Sequence, residues 1–211
     1  LTGDIREDVL SIARSQLGQT ESERNFILAE DGESKLGITR YGQWYGNPYG
    51  DWSAMFAAFC LHYADVPQDA IPWSPGVYNM MQLCAEQEIL SQPDAYIGRN
   101  GNLLFLDTDG NGNADKILIV TALEEVAAEE GAGDMIKTVG GDWDNAVTQL
   151  SIPEDDPRIL GYIPTATVRE AFCKTFTICC ICSPETVPVS PIRPMPFRPT
   201  KNSSVNTSFL T

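Results

Sequence analysis

The segment spanning residues 52–64 constrains the fold most, because its apolar residues occupy nearly every side of a helix. They are Ala54, Met55, Phe56, Ala57, Ala58, Phe59 and Leu61. A helix that is apolar all round is buried on all sides. The chain has 211 residues, which is enough to build one core around such a helix. We therefore expect one main domain with this helix at its centre.

Helical patterns dominate the first part of the domain and strand patterns the second. Asp4 can cap a helix that runs to about Leu17, and a third helix is predicted at residues 77–89. The predicted strands are residues 102–106, 117–123, 135–139 and 160–163, the first two joined as a hairpin by the turn-rich segment 107–115. Residues 37–52 are interpreted as an irregular aromatic loop. This order predicts an α+β fold, with a central buried helix packed on a small antiparallel sheet.

The charge distribution excludes one class of partner. The net charge is −15, from 29 acidic and 14 basic residues, and the acidic excess lies in residues 1–164. Binding of nucleic acid needs a basic surface, so nucleic acid is not expected as a partner. No apolar run reaches the roughly 18 residues that a transmembrane helix needs, so no transmembrane segment is expected.

The C-terminal part differs in composition from the rest. Residues 165–211 are rich in proline and contain four of the six cysteines, Cys173, Cys179, Cys180 and Cys182. We interpret residues 165–211 as a linker or disordered tail, and residues 1–164 as the domain. The tail lacks the paired Cys-x2-Cys spacing of a zinc site, and His62 is the sole histidine. Cys60 and Cys84 fall within apolar helical patterns and are expected to be buried free thiols.

Residues 37–56 carry the most specific signal. They read GITRYGQWYGNPYGDWSAMF. This unit resembles the CHAP family, cysteine- and histidine-dependent amidohydrolases and peptidases, in the subgroup with a TRYG-WYG-PYG-WCAMF signature. Further segments fit family motifs in the same order: residues 13–21 the opening helix, 101–107 the GDLIFFD strand, 115–120 DHVGIV, 136–142 I-TIEGN and 159–162 I-GY. The resemblance covers about residues 5–163 of the predicted domain 1–164.

The resemblance implies a papain-like fold that cleaves peptidoglycan amide bonds. A cysteine at the start of the buried helix would attack the carbonyl, a histidine on a facing strand would act as base, and an acid and an asparagine would complete the site. In this chain the cysteine position is Ser53 and the histidine position is Lys116. The acid and asparagine positions are Gly140 and Asp142. All of the principal roles are therefore altered.

These replacements predict a catalytically inactive site. The Ser53 hydroxyl needs a base to become a nucleophile, and a protonated Lys116 cannot accept a proton. His62 lies nine residues further along the same helix, about 13 Å away, and is interpreted as an ordinary helix residue. An alternative is a Ser53–Lys116 dyad supported by Asp142, which requires a deprotonated lysine. The neighbouring Asp115 and Asp142 favour the charged lysine, so the simpler interpretation is that Lys116 pairs with Asp142.

Two further features leave alternatives open. Asp107, Asp109, Asn111 and Asp115 resemble the start of a calcium-binding loop, but Leu118 occupies the place of its final acid. A plain hairpin turn explains the same residues, and we expect no cofactor. The aromatic residues Tyr41, Trp44, Tyr45, Tyr49 and Trp52 either line a ligand groove or pack in the core.

The resemblance implies a bacterial protein that is secreted or located at the cell surface. Residues 1–6 show no signal segment, so we expect a mature form, a fragment or an excised domain. We expect a non-catalytic module that binds peptidoglycan peptide or a surface protein, or that has a structural role. The alternatives are a residual peptidoglycan amide hydrolase and a spacer without a ligand.

Overall fold

The computed structural model describes residues 1–124 and 134–165, which form four helices and seven strands. The elements are α1 (Ile5–Ser15), β1 (Phe26–Leu28), β2 (Lys35–Gly37), α2 (Arg40–Tyr45), α3 (Ser53–Tyr63), α4 (Val77–Glu86), β3 (Leu103–Leu106), β4 (Lys116–Glu124), β5 (Met135–Trp143), β6 (Ala146–Pro153) and β7 (Ile159–Ile163). The predicted order of helices before strands is confirmed, with the short strands β1 and β2 added between α1 and α2.

The five later strands form one antiparallel sheet in the order β6-β5-β4-β3-β7. The predicted hairpin of β3 and β4 is confirmed, with Leu103 opposite Ile119 and Leu106 opposite Lys116. Strands β1 and β2 form a separate two-stranded sheet. The structure is therefore a mixed arrangement of helices and antiparallel sheets, which agrees with the coarse fold prediction.

Helix α3 is the central element. Its N-cap residue and eight residues of the helix itself are at most 1% exposed: Trp52, Ser53, Ala54, Met55, Phe56, Ala57, Ala58, Cys60 and Leu61. The helix packs on β4 and β5, where Ile117, Ile119 and Val139 face it. The residues that alternate with these along the strands, such as Leu118 and Val120, point to the other face of the sheet and form a second hydrophobic cluster there. The predicted buried central helix is confirmed.

Local signals explain the ends of the first two helices. The Asp4 carboxylate accepts the N–H of Arg6 and caps α1, as predicted. The predicted aromatic loop contains α2 instead. Its first turn is capped by the Thr39 hydroxyl, which accepts the N–H of Gly42 at 2.9 Å. Gly46 ends this helix with a φ of 91°, a conformation that favours glycine.

Three strands were not predicted. Strands β1 and β2 have three residues each, which is too short for an alternating pattern to be recognised. Strand β6 lies at the edge of the large sheet, where only Val147 and Ile152 are buried. The predicted strand at 135–139 extends to Trp143, through two glycines that lower its strand propensity.

Other predictions concern the cysteines and the tail. Cys60 and Cys84 are buried and free, as predicted. Burial raises the pKa of the Cys84 thiol to about 12.

In residues 1–124 and 134–165, no helix is both long enough and apolar enough to cross a membrane. The predicted tail, apart from Thr165, lies outside the described residues.

Candidate functional site

Ser53 is the first residue of α3, and its hydroxyl is fully engaged with the sheet. The Oγ atom accepts the N–H of Ile117 at 2.9 Å and donates to the carbonyl of the same residue at 3.5 Å. Ser53 is only 1% exposed. Its hydroxyl therefore bonds to backbone, and in the described part of the chain it forms no hydrogen bond with Lys116.

The bond between Ser53 and Ile117 replaces a missing strand contact. The regular pairing of β4 with β5 ends at Leu118 and Gly140, so Ile117 lies just beyond it. At Gly141 the strand backbone comes so close to α3 that a Cβ would collide with Phe56 and Trp52. The serine hydroxyl satisfies the backbone of β4 where β5 has turned away, and so links the helix to the sheet.

Lys116 points to Asp142, as the simpler interpretation predicted. Its ammonium donates to the Asp142 carbonyl oxygen at 2.6 Å and to a carboxylate oxygen at 3.3 Å. The Lys116 side chain is 24% exposed and that of Asp142 is 12% exposed. The lysine is thus held by the carbonyl and the carboxylate of a single residue.

Asp142 connects this pair to the start of α3. One of its carboxylate oxygens accepts the N–H of Trp52 at 3.3 Å, and the residue adopts a φ of 62°. Burial raises the pKa of the Asp142 carboxyl, and Lys116 and the N–H of Trp52 oppose this rise only in part. The short contact of Lys116 is with the carbonyl, which explains why the carboxylate is incompletely compensated. The three predicted positions 53, 116 and 142 therefore lie together at the junction of α3, β4 and β5.

The position predicted for the catalytic acid is filled by a neighbour. Gly140 pairs directly with Leu118, and the leucine side chain stands where a Cβ at position 140 would be. In the motifs that these segments resemble, DHVGIV and I-TIEGN, a glycine corresponds to Leu118 and a glutamate to Gly140. The motifs thus have the small residue on β4 and the large one on β5, whereas this chain has the large Leu118 on β4 and the small Gly140 on β5. Comparing each strand separately with its motif does not reveal that the two changes face each other.

Among the described residues, Asp115 and His62 form no hydrogen bond with the side chains of Ser53, Lys116 or Asp142. The Asp115 carboxylate accepts the hydroxyl and the N–H of Thr108 within the connector of β3 and β4. His62 lies near the other end of α3, with its ring 5.1 Å from that of Trp44 and 5.7 Å from that of Trp73. Neither contributes a base to Ser53.

The predicted calcium ligands gather in the same connector. Carboxylate oxygens of Asp107, Asp109 and Asp115 lie within 4.8 Å of one another. The Asp107 carboxylate accepts the N–H groups of Gly110 and Gly112 at 2.7 and 2.8 Å. These hydrogen bonds account for the turn on their own, and calcium binding stays an untested alternative to the expectation of no cofactor.

The five aromatic residues proposed for a groove divide into two groups. Tyr41 and Trp52 are 1% exposed and stack on each other in the core, with ring centroids 5.2 Å apart. Trp44, Tyr45 and Tyr49 are half-buried. Core packing therefore explains Tyr41 and Trp52. Of the five, only Trp44, Tyr45 and Tyr49 are accessible enough to contact a ligand at the surface.

A cleft that the sequence did not indicate lies next to the junction. It has a volume of about 460 Å³ and is lined by Glu21, Glu23, Lys35 and Asp144, among others. Glu21 connects it to the junction, because its carboxylate accepts the indole N–H of Trp52 at 2.8 Å. Three acidic groups and one lysine make this cleft acidic. Its residues come from three separate segments, so no single motif could have predicted it.

Comparison with known proteins does not add to this geometry. A scan against models of protein families, a search of curated proteins and a search of solved structures each find no match to this chain.

Proposed function

We propose that this chain is a non-catalytic CHAP-like module of papain-like fold, which binds a peptide of the bacterial cell wall or a surface protein. The observation that carries the proposal is that Ser53 and Lys116, at the positions of the family's cysteine and histidine, each bond to other groups and not to each other. The Ser53 hydroxyl bonds to the backbone of Ile117, while the Lys116 ammonium donates to Asp142. A nucleophile without a base cannot attack an amide at a useful rate.

The same contacts argue against a residual hydrolase. A serine–lysine dyad needs a neutral lysine within hydrogen-bond reach of the serine. Lys116 instead donates to the carbonyl and the carboxylate of Asp142. In the described residues, no hydrogen bond joins the Lys116 ammonium to the Ser53 hydroxyl, so the structure shows no path for the serine proton to Lys116 during attack.

The acidic cleft beside the junction is the proposed binding surface. Glu21, Glu23 and Asp144 surround a space of about 460 Å³, which suits a short peptide segment that carries an amino group. The cleft is linked to Trp52 through Glu21, so occupation of the cleft should change the surroundings of a buried indole. The resemblance further supports a secreted or cell-surface location.

Two measurements test the proposal. Purified chain incubated with insoluble peptidoglycan should release no soluble fragments, whereas an active wall amidase in a parallel reaction does. Release that disappears in the Ser53→Ala variant would contradict the absence of catalysis.

Binding is tested by titrating soluble muropeptides while following tryptophan fluorescence. We expect a saturable change that is weakened by Glu23→Gln, because this residue lines the cleft. Glu86→Gln removes an equal charge from the exposed last residue of α4 and should leave binding unchanged. A flat titration to about 1 mM, equivalent to a binding free energy weaker than about −4 kcal/mol, would instead favour a spacer.

A further inference from the structure

A second groove lies at the start of α1, on residues that the proposed site does not use. It has a volume of about 400 Å³ and is lined by Arg6, Glu7, Ile97, Arg99 and Leu123, among others. The lining comes from the first turn of α1, the segment before β3 and the far end of β4. None of these residues contacts Ser53, Lys116 or Asp142 in the hydrogen bonds and ion pairs of the described residues.

The walls of this groove are fixed by backbone contacts. Gly101 packs so closely on Arg6 that a Cβ would collide with the Arg6 backbone, and its φ of 81° suits glycine. The buried Asn102 side chain accepts the N–H of Arg99 at 2.8 Å and the hydroxyl of Tyr96 at 2.7 Å. Both arginines therefore extend from a backbone whose position is set, which lowers the entropy cost of binding a ligand between them.

The charge of the groove is opposite to that of the domain. Residues 1–164 contain 27 acidic and nine basic residues, yet two of the nine line this groove beside a single acid, Glu7. In the part of the chain that the structure describes, no carboxylate pairs with the exposed Arg99 guanidinium. Within residues 1–124 and 134–165, the one ion pair of Arg6 is a loose, exposed contact with Asp4 at 3.7 Å.

The groove also presents apolar surface between these cations. Ile97 is 48% exposed and Leu123 is 40% exposed, so two aliphatic side chains are accessible at the groove. A planar guanidinium matches a carboxylate with two parallel hydrogen bonds. The lining therefore combines carboxylate recognition with contact for aliphatic side chains.

We propose that this groove docks a peptide segment in which a carboxylate adjoins aliphatic side chains. Charge complementarity selects this occupant. A nucleic acid or a second copy of this acidic domain brings many negative charges against a chain of net charge −15, whereas a short peptide brings a single carboxylate to the two arginines. The carboxylate belongs either to an acidic side chain or to a free C-terminus, and both forms have the same chemistry for Arg6 and Arg99.

The test is a titration of the full chain, with labelled methyl groups, followed by nuclear magnetic resonance. The probes are three short Ala-Val-Leu peptides: one with a C-terminal glutamate and blocked ends, one with a free C-terminal carboxylate, and one blocked at both ends without any carboxylate. We expect the Ile97 and Leu123 methyl signals to shift with at least one of the two acidic probes, and which probe binds more tightly identifies the source of the carboxylate. The neutral probe should give no saturable shift.

Arg99→Gln should weaken binding of the acidic probe at least fivefold. Arg24→Gln, at another exposed arginine that does not line the groove, should leave it unchanged. Higher salt should also weaken binding, because exposed charges are screened. Equal shifts with the neutral probe, unaltered affinity in Arg99→Gln, or no shift with either acidic probe at millimolar concentration would each overturn the proposal. Wall-peptide binding at the acidic cleft is measured separately by tryptophan fluorescence, so the two proposals can fail independently.

Discussion

Leu118 and Gly140 face each other across β4 and β5, and the leucine side chain occupies the place of a Cβ at position 140. We therefore expect Gly140→Ala to lower the free energy of unfolding by about 1–3 kcal/mol, as overpacking of a filled core does. Urea denaturation measures this change. A double-mutant cycle provides the control, since Gly140→Ala should cost less in a Leu118→Ala background. Equal costs in both backgrounds would show that Leu118 does not fill this space.

Restoring the family-like nucleophile and base should not restore catalysis. In Ser53→Cys with Lys116→His, position 140 still lacks an acid to orient the histidine, and Leu118 fills the space for one. We expect weak or no release of fragments from peptidoglycan. Adding Leu118→Gly together with Gly140→Glu removes the steric conflict and gives the matched comparison. Robust lysis by the first double variant would refute the structural explanation.

Ser53→Ala should affect stability and not turnover. The substitution leaves the buried N–H of Ile117 without its partner, which costs about 1–3 kcal/mol in unfolding free energy. Ser11→Ala changes an exposed serine of α1 whose side chain forms no hydrogen bond in the described residues, and is expected to change stability by less than about 0.5 kcal/mol. Urea denaturation of the two variants provides the comparison. Similar stability of both variants would contradict a structural role for the Ser53 hydroxyl.

The carboxyl of Asp142 should make stability depend on pH. Because its pKa is raised in the folded chain, it binds a proton more tightly there than in the unfolded chain. Its contribution to stability is complete below the ordinary value of 3.8 and is lost as pH rises through the raised folded pKa. Asp142→Asn should therefore gain stability relative to the parent chain as pH rises from about 4 to about 7.

Asp156→Asn is the control for this series. The hydrogen bond from Arg158 lowers the pKa of the Asp156 carboxyl, so its contribution is complete above 3.8 and is lost only as pH falls further. The stability difference between Asp156→Asn and the parent should then be constant over the same range. Urea unfolding at several pH values measures both. A constant difference for Asp142→Asn as well would contradict a raised pKa at Asp142.

Much of the architecture follows from sequence patterns with a strong physical basis. Residues 52–64 are apolar on all sides, and only a central position buries such a helix. The turn-rich segment 107–115 between two apolar runs requires the β3–β4 hairpin. The short helix α2 and the edge strand β6 were not predicted, because their formation depends on caps and on neighbouring strands more than on local periodicity.

The sequence by itself determined that Ser53 and Lys116 lack the chemistry of a thiol and an imidazole, since this depends only on the identity of the side chains. Only the tertiary structure decided which groups these residues bind. Ser53 meets Ile117 because β5 turns away at Gly141, and Leu118 fills the space over Gly140 because the two strands are in that register. These contacts join residues that are 64 and 22 positions apart in the sequence, so they arise from the folded path of the chain and no local pattern encodes them.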